Sequence, residues 1–305
     1  MLDQREIKRQ EYVGRVNRVI DYVRQNLTGD LSLEAAARVA NFSPYHFHRV
    51  FKSVVGETLN DFIRRVRAQS AASQLIHNPT ITITDVAVGC GYASPSAFAR
   101  EFRRRFGMSA SDFRAGGQDS LATLRKRMED EGKEFVNPPD FAVPRTDMVF
   151  RVDVRERPQL HVAYVRHVGR YDQIGKSFDK LMRWAGPRRL LRGPETEILA
   201  LYYDNPDITP VERLRADACI TVSEGTDANR DIGLMDVPGG TFAVAYVEID
   251  PDQYGEAWTR LMNDWLPMSG YQPDGRLCYE RYLNDPDSHP EGKHVVEIHE
   301  PIRPL

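Results

Sequence analysis

Cysteine is scarce. The 305 residues hold three, Cys90, Cys219 and Cys278, and no two stand at CxxC spacing. That argues against a disulfide framework and against a zinc site, and fits a reducing cytoplasm. No apolar run approaches the length of a membrane span, and the opening MLDQREIKRQEY lacks the apolar core of a signal peptide. His161 and His167 have no His, Cys or carboxylate at metal-ligand spacing, so both read as structural or exposed. Gly169 and Gly239-Gly240 serve turns, and no phosphate-binding glycine loop is present. No nucleophile–base arrangement is visible either. The expectation is a cytoplasmic protein with no cofactor, no metal, no membrane partner and no enzymatic activity.

A strong charge of one sign is also missing, since the chain carries a net charge of −3. The distribution says more than the sum. Residues 1–117 hold 17 Lys and Arg against 11 Asp and Glu, while residues 118–305 hold 24 against 33. A basic third joined to an acidic remainder points to a polyanion-binding module attached to something else. The length suits two domains.

One pattern is written twice in the basic part. LSLEAAARVANFSPYHFHRVFKSVVGETLNDFIR (31–64) is echoed by ITITDVAVGCGYASPSAFAREFRRRFGMSASDFR (81–114). Ser43-Pro44 and Ser94-Pro95 align, as do Phe47 and Phe98, Phe51 and Phe102, Gly56 and Gly107, and Phe62 and Phe113. Each copy reads as a short alanine-rich helix (Leu33 to Ala40, Ile83 to Cys90), a turn, and a second helix opened by Ser as N-cap and Pro at the first helical position. Phe47, Val50, Phe51 and Val54 recur at helical spacing and face inward; Phe98, Phe102 and Phe106 do so in the second copy. Tyr45, His48, Arg49 and Lys52 are left on the outer face of the first, and Ser96, Ala99, Arg100, Arg103 and Arg104 on that of the second. A cationic helix behind a short crossing helix can enter a major groove. A single copy reads as well as an αα-hairpin with solvated arginines; duplication favours DNA.

Residues 12–115, and above all GYASPSAFAREFRRRFGMSASDFR, resemble the AraC/XylS family of transcription regulators. The resemblance implies two helix-turn-helix motifs spaced by the helix from Thr58 to His77, placing both recognition helices in successive major grooves about 34 Å apart. Ahead of them, residues 4–27 read as an amphipathic helix with Ile7, Tyr12, Val16, Val19, Ile20, Val23 and Leu27 as its apolar stripe. Gly116-Gly117 closes this domain (1–117). Residues 118–146, polar and rich in Pro near Asn137-Pro138-Pro139, read as a linker in which Leu121 to Glu131 forms a short exposed helix.

From residue 147 the chain turns strand-rich, with helices at Tyr171 to Ala185 and Pro251 to Trp265. It too repeats. HVAYV (161–165) echoes AVAYV (243–247), KLMRW (180–184) echoes RLMNDW (260–265), and YYDNPD (202–207) echoes RYLNDPD (281–287). The expected fold is therefore an all-α double helix-turn-helix domain, then an α+β domain (147–305) of two strand–helix–strand–strand units with a cleft where they meet. RHVGRYDQIGKSFDKLMRWA, VPGGTFAVA and CYERYLNDP resemble the gyrase-inhibitor-like (SbmC/Rob-type) effector-binding domain over about residues 148–304.

Glu280 lies in a strand with bulky residues on both faces. Periodicity alone leaves it evenly divided between a semi-buried functional carboxylate and one paired with Arg281 or facing water. The resemblance implies an effector pocket at this position for cationic, lipophilic ligands, with aromatic neighbours; Tyr164, Tyr282, Tyr246 and Trp258 are the candidates here. The leading function is a DNA-binding transcription regulator that senses a small effector, with promoter DNA, the effector and RNA polymerase as partners. The alternatives are a hydrolase using Glu280 as general base near Tyr164, or a protein that sequesters its partner.

Overall fold

The computed structural model describes residues 4–78, 80–134, 148–228 and 231–305. A first compact unit takes the chain up to Lys126 and the segment 228–233; a second takes Arg127–Asp227 and Leu234–Leu305.

The first unit is helical: α1 (Gln4–Gln25), α2 (Leu33–Ala40), α3 (Pro44–Val55), α4 (Leu59–His77), α5 (Ile83–Gly89), α6 (Pro95–Phe106) and α7 (Ala110–Asp130). Hydroxyl caps start most of them. Ser32, Thr58, Thr82 and Ser94 each accept from the backbone N–H three residues on, satisfying a donor that the first turn leaves open. Ser43 stands at the same position before α3 without making that bond. Both turns between crossing helices need a left-handed residue: Asn41 at φ 53° in the first copy and Gly91 at φ 77° in the second. At Gly91 a Cβ would lie 1.9 Å from the Leu27 carbonyl oxygen, so glycine alone fits.

Val16, Val19, Ile20 and Val23 of α1 pack against Phe47, Phe51 and Phe62 in one core. Phe98, Phe102, Phe106 and Phe113 stack edge-on or tilted in the second copy. Two expectations change here. Val54 and Tyr12 are 37% and 38% exposed, where α1 and α3 leave a groove between them. Arg65 is buried and donates two hydrogen bonds to Glu57, at 2.9 and 2.7 Å. The linker does not begin at 118: α7 kinks at Gly117 and runs on to Asp130, burying Ser120, Leu121 and Leu124. The spacing of the two leucines gives that helix an apolar edge, so it packs instead of standing exposed. The rest of the expected linker, from 135 to 146, and Ile7's side chain lie outside the described residues.

The second unit is a sheet in the order β1-β6-β9-β8-β3-β4-β2-β5, with β7 paired to β9. Its strands are β1 (Val149–Arg157), β2 (Leu160–Val168), β3 (Ile198–Tyr202), β4 (Arg215–Thr221), β5 (Gly233–Val237), β6 (Gly240–Ile249), β7 (Tyr271–Pro273), β8 (Cys278–Tyr282) and β9 (His294–Pro304); the helices are α8 (Gly175–Ala185) and α9 (Tyr254–Thr259). The repeat is real. β2-α8-β3-β4 and β6-α9-β8-β9 form equivalent halves, joined where β3 pairs antiparallel with β8. α9 continues into a π-helical turn at Arg260–Trp265. RLMNDW has one residue more than KLMRW, and a π turn is how a helix absorbs an inserted residue. β1, β5 and β7 lie outside the two repeated units.

Candidate functional site

On α3 the side chains of His48, Arg49 and Lys52 are exposed; on α6 Ser96, Ala99, Arg100, Arg103 and Arg104 are exposed. Both helices therefore present the outward faces read from the sequence. Tyr45's side chain lies outside the described residues. The exposed residues differ in freedom. Arg104 donates to Glu101 from Nη2 at 2.5 Å and Nε at 3.0 Å, so it is held along its own helix. Arg49 lines the groove between α1 and α3 with Tyr12, His46 and Ser53.

In the second unit the polar centre is Glu280. β8 places it at the seam between the halves, opposite Ala200 of β3 and Ile298 of β9. It is 2% exposed. Three donors hold it: Trp258 Nε1 to Oε1 at 2.7 Å, and Tyr202 Oη at 2.7 Å and Tyr282 Oη at 3.0 Å, both to Oε2. Burial pushes its carboxyl above the ordinary range, and the three hydrogen bonds oppose that shift. Burial and the adjacent carboxylate push the phenols of Tyr202 and Tyr282 well up as well.

The internal repeat organises these neighbours. At an offset of 80 residues, set by the Asn205-Pro206-Asp207 and Asp285-Pro286-Asp287 turns, Tyr202 corresponds to Tyr282 and Phe178 to Trp258. The pairs cross over. Trp258 meets the edge of Tyr202 at 6.2 Å, and Phe178 meets that of Tyr282 at 5.6 Å. Symmetry breaks at two places: Glu280 faces its own counterpart Ala200 across the seam, and Trp258 supplies a donor that Phe178 lacks. The small Ala200 leaves room for the carboxyl.

Two candidate aromatics stand elsewhere. Tyr164 lies in a core on the other face of the sheet with Leu199, Leu201 and Tyr279. Tyr246 is on that face too, bonded to Glu248 at 2.8 Å with Arg151 over its ring. Strand alternation sets this: Ala163, Val165 and Ala245, not the tyrosines between them, share the Glu280 face. Arg281 also points away from Glu280, to Glu197 at 3.0 Å and Glu297 at 3.1 Å. Tyr202, Phe178 and Tyr171, whose ring lies 4.8 Å from Tyr202, take the places near the carboxylate. The signal for Tyr202 was the YYDNPD echo itself.

Residues 150–303 match the model for the GyrI-like small molecule binding domain, and residues 36–116 match that for a helix-turn-helix domain. The chain belongs to the GyrI-like family. Its GyrI-like half follows an AraC-type helix-turn-helix half, the arrangement of a DNA-binding regulator. The "DNA gyrase inhibitor" of Yersinia enterocolitica is 33% identical over 160 residues, 51% of this chain and 98% of that protein. "DNA gyrase inhibitor 2" of Dickeya dadantii is 35% identical over 161 residues, covering 52% and 97%. EcmrR, in a cryo-EM structure of its DNA complex, is 13% identical with a TM-score of 0.45, covering 90% of this chain and 99% of that one. Among the described residues no helix is long and apolar enough to cross a membrane.

Proposed function

We propose that the chain is a sequence-specific transcription regulator whose helix-turn-helix pair reads promoter DNA and whose GyrI-like half takes a small cationic, lipophilic effector at Glu280. The observation that carries the effector reading is the buried carboxyl of Glu280, held by an indole and two phenols at the seam of the repeat. An ionised acceptor among aromatic faces suits an organic cation by charge and by cation–π attraction. Entry requires Trp258 to swing aside. It stands on a helix of six residues that leads into the π turn, a geometry frequent at functional sites. The outward cations of α3 and α6 support the DNA half, and RNA polymerase is the further partner that such a regulator meets at a promoter.

The hydrolase alternative draws no support from the site. Glu280's hydrogen-bond partners are two phenols and an indole, and the phenols are pushed away from their nucleophilic form. A thermal-shift screen of the full chain against cationic aromatic compounds, followed by DNA binding with and without each hit, tests the proposal. Hits that stabilise the protein and change its affinity for one DNA sequence are expected. DNA affinity should fall steeply with salt as phosphate counterions are released. Uniform weak binding to all sequences at every salt concentration would sink the regulator reading.

A further inference from the structure

A second carboxyl shares the face that bears Glu280. Alternation along β9 puts Glu300 on the side of Val296, Ile298 and Ile302, all of which pack beneath α9. Glu280 pairs with Ile298, so Glu300 is its diagonal neighbour, about 7–8 Å away along the sheet. Cys278 stands between them and feels both carboxyls. Glu300 is only 7% exposed.

A carboxyl this enclosed is costly to ionise, and the fold does not need one at this position. The other half of the repeat shows this. At the offset of 80, Glu280 corresponds to Ala200 and Glu300 to Ile220, so the first half fills both positions with apolar side chains. The charged and titratable groups that face Glu300 are Asp274, which disfavours its ionisation, Arg276, which favours it, and the half-buried thiol of Cys278. Burial dominates and pushes the carboxyl up to about 8, so Glu300 is mostly protonated at neutral pH.

Resting on the reading of Glu280 as an effector contact, we propose that Glu300 is a second anionic subsite, so that the preferred effector carries two cationic centres and its binding drives a proton off Glu300 into solvent. The first ammonium meets Glu280. The second meets Glu300, whose O–H proton leaves for solvent as the carboxylate forms beside the ammonium.

Calorimetry on the full chain with benzylamine and p-xylylenediamine tests this, in two buffers of different ionisation enthalpy at pH 7. The diamine should bind at least tenfold more tightly than the monoamine and release close to one proton. Glu300→Gln, which keeps the shape of the protonated acid, should abolish both the preference and the release while leaving benzylamine unchanged. Benzylamine binding without a diamine preference, or a diamine preference without proton release in the unaltered protein, overturns the second subsite and leaves the effector reading standing. Binding of neither amine overturns both.

Discussion

The indole N–H of Trp258 donates to Glu280 Oε1 at 2.7 Å, tying the helix of one half to the seam strand. Indole nitrogen donates and cannot accept, so this contact fixes which carboxyl oxygen must remain an acceptor.

That asymmetry predicts the behaviour of Glu280→Gln. The amide oxygen can face Trp258 while its NH2 faces Tyr202 and Tyr282, whose hydroxyls can turn to accept. The variant should therefore fold and bind DNA. It loses the ionised acceptor, worth roughly 1.5–3 kcal/mol, so affinity for a cationic ligand should drop about ten- to a hundredfold. Neutral analogues should lose much less. Titration calorimetry with one cationic and one neutral ligand distinguishes this from a purely structural carboxylate, which would leave both affinities unchanged.

On the DNA side, Arg100 is exposed on α6, whereas Arg104 is bound to Glu101. Arg100→Ala should cost roughly 1–3 kcal/mol on cognate DNA and relax specificity in one half of the site; Arg49→Ala should do the same in the other half. Arg104→Ala should weaken cognate and random duplexes by one common, small factor. Anisotropy titrations against both duplexes read the difference, and equal factors for Arg100 and Arg104 would refute this division of roles.

Much of this was legible in the chain because its repeats mark equivalent positions. Paired Ser-Pro and Phe positions located both helix-turn-helix motifs, and the YYDNPD echo marked the strands that meet at Glu280. Tyr164 and Tyr246 misled for a physical reason. β2 and β6 are buried on both faces at their centres, so hydrophobic alternation does not say which face the helices cover. Arg65 escaped because a helical arginine reads as surface unless its acceptor is known, and Glu57 lies outside its helix. The extent of α7 was hidden by Gly116-Gly117, which kinks the helix and does not end it.

The helix-turn-helix turns differ in tolerance. Both Asn41 and Gly91 are left-handed, but only Gly91 has the Leu27 carbonyl within reach of a Cβ. Gly91→Ala should destabilise the helical unit by more than the roughly 1–2 kcal/mol of left-handed strain alone. Asn41→Gly should change stability by less than 1 kcal/mol, since glycine adopts that conformation freely. Denaturant melts of the three proteins followed by helical circular dichroism decide it; equal losses would place the cost in backbone conformation and not in the contact.

Two carboxyls three residues apart on β9 should titrate stability in opposite directions. Glu297 accepts from His299, Arg155 and Arg281, which hold its carboxyl well below the usual range. A depressed carboxyl contributes stability that is present above its unfolded pKa of about 4.3 and is lost as pH falls toward the folded value. Burial lowers His299 too, so its protonation also works against the fold in acid. Glu300 is raised to about 8, so the folded state holds a proton that the unfolded chain gives up, and stability falls as pH climbs from about 4.5 to 8. Glu300→Gln should therefore raise the melting temperature at pH 8 and leave it nearly unchanged at pH 4. Glu297→Gln should lower it at pH 7, with the gap to the unaltered protein narrowing toward pH 3. Thermal melts of the full chain across pH 3–9 measure both slopes. A Glu300→Gln curve parallel to that of the unaltered protein would show that Glu300 ionises normally in the fold.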